Sequence, residues 1–273
     1  MRVFYFSGVL FVCCIVFASR TSAQTVPDYT FISEINKKAT FITMDKLGCI
    51  YTCDGTSIEK YDENGNFLFS YAALSGGRIS FVDASNPLKL LLFSKEFMHI
   101  LFLDNKLAPQ KDPYRLSELN LYLPTCVCIS YDNGFWVYDE SSKELFRYDA
   151  RQNQSNKSQR LSSFTEKELN PLFIKESEAG FLLLNDTMNG ILIFDHFGAY
   201  LKTIPVYTDY FYMMHRQILY VRDNLLYLMD IDTVRQMSVP LPEEGIKQVC
   251  IENKKMIVLT KDNTVKIYSI GLQ

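Results

Sequence analysis

The sequence predicts an all-β chain of six four-stranded antiparallel sheets set around one axis, the last completed by a strand from the N-terminus. Three observations carry that expectation. A short apolar pattern ending in Asp recurs as IEKYD (58–62), ILFLD (100–104), LFRYD (145–149), ILIFD (191–195) and LYLMD (226–230), with VKIYS (265–269) as a last variant. A dense apolar run precedes each copy at a near-constant lag, centred on Tyr51, Leu92, Trp136, Leu183, Leu219 and Val258. The 273 residues include 20 Phe and 17 Tyr, a composition that suits strands better than helices.

In chain order, each unit begins with a short strand and a tight turn: ATFITMDKLG (39–48), RISFVDASNP (78–87), TCVCISYDNG (125–134), LFIKESEAG (172–180), YFYMMHRQ (210–217) and KQVCIENKK (247–255). The dense run is the second strand, because a strand buried on both faces reads as a continuous apolar stretch. Turn signals at Asp54-Gly55, Asn189-Gly190, Asp223-Asn224 and Asp262-Asn263 fold it back on the Asp-terminated third strand. A more polar fourth strand follows, as in NFLFSYA (66–72) and YLKTIPVY (200–207). Four-stranded units of roughly 40 residues are the repeat of a β-propeller. One small twisted sheet cannot bury both of its faces; neighbours in a closed ring bury them for each other. The last unit runs out after three strands, at IYSIGLQ, while YTFISEI (29–35) belongs to no unit. That spare strand is expected to complete the last blade, which makes residues 24–273 a single six-bladed propeller domain.

Residues 1–23 have the layout of a secretory signal peptide. Arg2 is the basic start, Val3 to Ala18 the apolar run, and Thr21-Ser22-Ala23 the small-residue cleavage site. The run is shorter than the roughly 20 residues of a membrane helix. Cleavage after Ala23 is therefore expected, leaving an exported chain, periplasmic or extracellular, without a transmembrane segment. A net charge of −3 gives no basis for a nucleic-acid partner. Five cysteines remain beyond residue 23: Cys49, Cys53, Cys126, Cys128 and Cys250. Neither close pair has bridging geometry or zinc-site spacing. Thiols packed as small hydrophobes are expected, with Cys49–Cys250 left open as a disulfide between elements.

The first unit, MDKLGCIYTCDGTSIEKYDENGNFLFSY (44–71), resembles an NHL repeat. The match lies in the Asp45-to-Gly48 turn, the strand before Asp54, the IEKYD strand and the Asn64-Gly65 turn, where Gly65 suits a positive φ. The chain beyond residue 23 is similar to six-bladed, TolB-like propellers of the kind exported by Gram-negative bacteria. The other units share period and phase rather than wording, and the second lacks the Gly turn. The resemblance implies the fold; function does not follow from it, since propellers host binding modules and enzymes alike.

The three histidines, His99, His196 and His215, fall in different units, and no HExxH, GxSxG, P-loop or GxGxxG pattern occurs. No catalytic residue, metal ligand or cofactor is assigned. The strongest enzyme case is a metal-assisted hydrolase or lactonase with Asp45, Asp83, Asp132, Glu176 and Glu252 near the ends of the inner strands. The competing reading is that Asp and its kin cap turn backbone at strand ends. Trp136, inside a dense run, is expected to pack between blades rather than to stack on a sugar. Segments 107–122 and 151–170 are the longest polar connections. The latter reads as an outer strand followed by a short helical turn with a Ser163-to-Glu166 capping signal. Asp186-Thr187-Met188 and Asp232-Thr233-Val234 resemble an O-glycan acceptor pattern, and Asn153, Asn156 and Asn185 begin N-x-S/T patterns.

These features favour a non-catalytic scaffold that binds protein partners of the cell envelope, in a periplasmic or outer-membrane-associated assembly. Aromatic residues assigned to its loops, Tyr131, Phe135, Tyr207, Tyr210 and Phe211, are the expected contact surface. A channel-centred hydrolase or lactonase is the first alternative, and a glycan-binding module using Trp136 the second.

Overall fold

The computed structural model describes residues 27–73 and 77–271; the signal-peptide reading of residues 1–23 lies outside them. β1 (Asp28–Ile35) opens the chain. Blade 1 is β2 (Phe41–Met44), β3 (Ile50–Cys53), β4 (Ser57–Tyr61) and β5 (Phe67–Ala72). Blade 2 is β6 (Phe81–Asp83), β7 (Leu90–Ser94), β8 (His99–Leu103) and β9 (Tyr114–Arg115). Blade 3 is β10 (Pro124–Ile129), β11 (Phe135–Asp139), β12 (Glu144–Tyr148) and β13 (Gln154–Lys157). Blade 4 is β14 (Pro171–Glu176), β15 (Phe181–Asp186), β16 (Gly190–Asp195) and β17 (Tyr200–Ile204). Blade 5 is β18 (Phe211–Met214), β19 (Gln217–Arg222), β20 (Leu225–Asp230) and β21 (Gln236–Pro240). Blade 6 is β22 (Ile246–Glu252), β23 (Lys255–Thr260) and β24 (Val265–Gly271), and its sheet order is β1-β24-β23-β22. β1 pairs antiparallel with β24 from Asp28 opposite Gly271 to Ile35 opposite Val265. The spare N-terminal strand thus closes the ring.

The dense runs are the second strands, and most of their side chains are buried on both faces: every residue of β3, β7 and β11 is buried. Separate apolar layers fill the spaces between neighbouring blades. Burial of this kind removes apolar surface from water only when the adjacent sheet is present, so the stability of each blade depends on its neighbours.

Four of the five recurrent Asp residues share one structural task, while Asp230 instead accepts the Thr233 N–H and hydroxyl. Asp62 Oδ1 accepts hydrogen bonds from the backbone N–H groups of Asn64 and Asn66, both at 2.9 Å. Asp104 does the same with Lys106 and Ala108, Asp149 with Arg151 and Asn153, and Asp195 with Phe197 and Ala199. Each carboxylate closes the turn from the third to the fourth strand of its blade. Gly65 completes the first of these turns at φ 90°, a conformation that side chains disfavour. Blade 6 has no such turn, because its fourth strand arrives from the other end of the chain. Ser269 stands there instead of Asp.

Several expectations need correction. The helical turn of segment 151–170 lies at Leu161–Ser163, ahead of the capping signal. Ser163 is its last residue and donates its hydroxyl back to the Arg160 carbonyl at 2.6 Å; buried Leu161 anchors the turn to the core. The cysteines are as expected: all five among the described residues are free, and four are buried. Cys49 borders the layer between blades 1 and 2, whereas Cys250 sits in the layer between blades 6 and 1. Blade 1 separates them, so the Cys49–Cys250 bridge is not made. Asn185 is buried, its amide donating to the Thr208 carbonyl, which closes that acceptor pattern to modification. Among the described residues no helix is long and apolar enough to cross a membrane.

Candidate functional site: the open end of the channel

The first strands of the six blades line the channel, and their inner edges carry backbone groups with no strand partner. Side chains of neighbouring blades supply several of the missing partners. Gln248 Oε1 accepts the Ile42 N–H of β2 at 3.1 Å, and Asp83 Oδ2 accepts the Ile129 N–H of β10 at 2.9 Å. Glu176 Oε2 accepts the Tyr131 N–H just beyond β10 at 3.3 Å.

Where the first strands begin, the channel is closed by rings. Phe41, Phe81, Phe173 and Tyr210 form a circuit with centroid separations of 5.7, 5.8, 5.6 and 5.5 Å. Tyr210 also faces Cys250 Sγ at 3.8 Å, and burial drives its phenol well above the ordinary range. Further along lies the fully buried Asp83, which meets Lys175 Nζ from blade 4 at 2.5 Å. Burial alone would raise the Asp83 carboxyl. The Lys175 ammonium and the Ile129 and Ser85 N–H groups outweigh it and hold the carboxyl below its usual value.

Where the first strands end, the channel opens into a cavity of about 630 Å³ with walls from all six blades, among them Met44, Asn86, Tyr131, Glu176, Tyr212 and Glu252. Lys46 on the blade 1 turn pairs with Glu178 on the blade 4 turn at 2.7 Å. Buried Arg147 donates to Ser130 Oγ at 2.8 Å and pairs with Asp132 at 2.7 Å. Its guanidinium carbon lies 4.2 Å from the centre of the Tyr131 ring. Tyr131 meets His196 edge-on at 6.1 Å, and His196 packs against Phe197 at 3.8 Å. Gly134 permits the tight turn under this group: a Cβ there would lie 2.0 Å from the Tyr148 carbonyl oxygen. Glu176 accepts the buried Trp136 Nε1–H on Oε2 at 3.0 Å, while its Oε1 is buried and accepts no hydrogen bond. Burial pushes the Glu176 carboxyl above its ordinary value.

The five aromatic residues singled out from sequence do not share one surface. Tyr131 is 65% exposed at the open end. Tyr207, 49% exposed, lies on the connection from β17 to β18, at the closed end. Tyr210 belongs to the ring circuit, and Phe135 and Phe211 are core residues. Trp136 is fully buried between blades 3 and 4, so it offers no sugar platform. Leu47, Leu88 and Phe197, exposed in turns at the open end, were missed. Their only signal is a large apolar residue in the middle of an otherwise polar turn.

The candidate metal-binding carboxylates are engaged separately. Asp45 accepts the Leu47 and Cys49 N–H groups and the Tyr51 hydroxyl. Asp132 takes Gly134 N–H and Arg147. Glu252 takes the Tyr212 hydroxyl at 2.8 Å. Among the described residues no group of three or more His, Cys, Asp or Glu side chains is placed to hold a metal ion.

No family model matches the chain, and no curated protein matches its sequence. Solved structures do. A catalytically inactive virginiamycin B lyase from Staphylococcus aureus with quinupristin superposes with a TM-score of 0.61 at 10% identity, over 89% of this chain and 99% of that one. The Neurospora crassa Pan2 WD40 domain gives 0.59 at 7% identity, over 90% and 96%. BBS1N in complex with ARL6DN gives 0.56 at 10% identity, over 90% and 96%. At such identities the likeness is one of fold: this chain is a β-propeller, with six blades.

Proposed function

We propose that the chain is an exported, TolB-like, non-catalytic propeller that serves as a protein-interaction scaffold in a periplasmic or outer-membrane-associated assembly. The observation that carries this reading is the open end of the channel. Four large apolar side chains there, Leu47, Leu88, Tyr131 and Phe197, are each more than half exposed on short turns. Short hydrogen-bonded turns that hold apolar groups in water around an open cavity are suited to a partner that covers them, and aromatic anchors of this kind dominate protein interfaces. The fold is compatible with such a role, as BBS1N was solved in complex with ARL6DN. The individually engaged carboxylates lend no support to a hydrolase, and the buried Trp136 lends none to a lectin.

The test is affinity purification after cross-linking in the native cell envelope, with the double variant Tyr131→Ala/Phe197→Ala as control. The wild-type chain is expected to recover a stoichiometric protein and the variant to lose it, with unchanged circular dichroism. Equal recovery by both forms would overturn the assignment of the open end.

A further inference from the structure

The cavity at the open end is unbalanced in charge. Lys175 on its wall is neutralised by Asp83 behind it, and Lys46 by Glu178. Glu176 and Glu252, from blades 4 and 6, have no ion-pair partner among the described residues. Glu176 is only 9% exposed; Ser130 and the Arg147 guanidinium, itself paired with Asp132, act on its carboxylate, yet its Oε1 makes no hydrogen bond. A buried carboxylate oxygen without a hydrogen bond is costly and uncommon, and a donor from outside the chain would relieve it. The same cavity has an apolar wall of Met44, Met213 and Met214, soft side chains that adapt to an aliphatic stem.

We propose that this cavity receives the cationic side chain of a lysine or arginine from the docked protein partner, with the Glu176 carboxylate as first counter-charge and Glu252 as second. The inference rests on the scaffold reading and specifies its partner: a protein that presents a basic residue on an exposed loop or tail. Charge complementarity selects that occupant. An acidic side chain would meet two carboxylates, and a neutral one would leave both uncompensated. The methylene stem of Lys or Arg would lie along the methionine wall while its head group reaches Glu176.

The experiment is an NMR titration of the chain beyond residue 23 with Ac-Gly-Lys-Gly-NH2, Ac-Gly-Arg-Gly-NH2, Ac-Gly-Gln-Gly-NH2 and butylammonium. A basic peptide is expected to shift resonances of residues around the cavity and to bind roughly tenfold or more tighter than the Gln peptide. E176Q, which keeps side-chain shape, is expected to weaken the basic peptide by a similar factor, with E252Q smaller in effect. Equal binding of the basic and Gln peptides, no binding of any peptide, or unchanged affinity in E176Q would overturn the proposal. Butylammonium, which carries the lysine stem and head group alone, is expected to shift the same resonances, and its failure to do so would overturn the side-chain assignment. Partner recovery that falls with Tyr131→Ala/Phe197→Ala but not with E176Q would discard the cation and keep the scaffold. Partner recovery indifferent to all three substitutions would discard the scaffold reading as well.

Discussion

At the end where the inner strands begin, rings from blades 1, 2, 4 and 5 close the channel mainly by packing. At the end where the same strands finish, ion pairs and an unsatisfied carboxylate surround an open cavity. The contrast separates stability from recognition. Apolar contacts at the closed end depend on surface removed from water and little on charge. Charges at the open end are placed against the tendency of carboxylates to avoid burial, and their arrangement persists because the blades beneath are already fixed. A strained or under-satisfied region on a well-packed frame is the usual sign of a working surface.

The contrast can be broken most forcefully at the ion pair between the two ends. Asp83→Ala leaves Lys175 facing a buried void and the Ile129 N–H without an acceptor. A loss of about 3–5 kcal/mol is expected in urea unfolding. The double variant Asp83→Leu/Lys175→Met is expected to recover the part due to the unpaired Lys175 charge, while the Ile129 and Ser85 N–H groups stay without that acceptor; no recovery at all would mean that the pair itself stabilises the ring. Next in size is Phe173→Ala at the closed end, which removes ring contacts to Phe81, Tyr210 and Phe211. It is expected to cost about 3 kcal/mol in the same assay.

Smaller effects distinguish the two carboxylates by pH. Burial raises the Glu176 carboxyl above its ordinary 4.5. The folded chain therefore binds this proton more tightly than the unfolded chain. Stability from Glu176 grows as pH falls from the raised folded value toward 4.5 and is lost as pH rises through that folded value. Asp83 has the opposite sign: held below 3.8, its contribution is intact above 3.8 and disappears as pH falls through its lower folded value. Glu176→Gln is expected to flatten the melting temperature in the mildly acidic window above 4.5 while leaving the steeper acid loss in place. A wild-type pH profile retained in full by the variant would contradict the burial of that carboxylate. The smallest effect belongs to the exposed ring: Tyr131→Ala, which removes the cation–π contact with Arg147, is expected to cost about 1 kcal/mol or less, too little to unfold the ring, so its loss of partner binding would be a surface effect.

The fold was legible because its cues are local and repeated. Each Asp that ends a third strand closes a turn only a few residues away, and five such copies with a sixth Ser variant made the period plain. Ser269 looked like a worn copy of that pattern; its cause is topological, since blade 6 needs no such turn. The cavity was not legible, because Glu176 acquires its role from Trp136, 40 residues away in sequence, across a blade interface. Phe135 and Phe211 misled for a related reason. They begin strands whose inner faces are covered by neighbouring blades, so the alternation that separates surface from core is erased there. Exposed Leu47 and Leu88 carried the opposite cue, apolar residues in turns, and composition alone does not distinguish those from core.

The most direct test is site-specific photo-crosslinking in living cells, with the cross-linking residue placed at position 131 in one strain and at position 207 in another. Adducts to a protein partner from position 131, and none from position 207, are expected if the open end is the working face. Adducts from position 207 alone would contradict that assignment and move the interaction to the end sealed by the four rings.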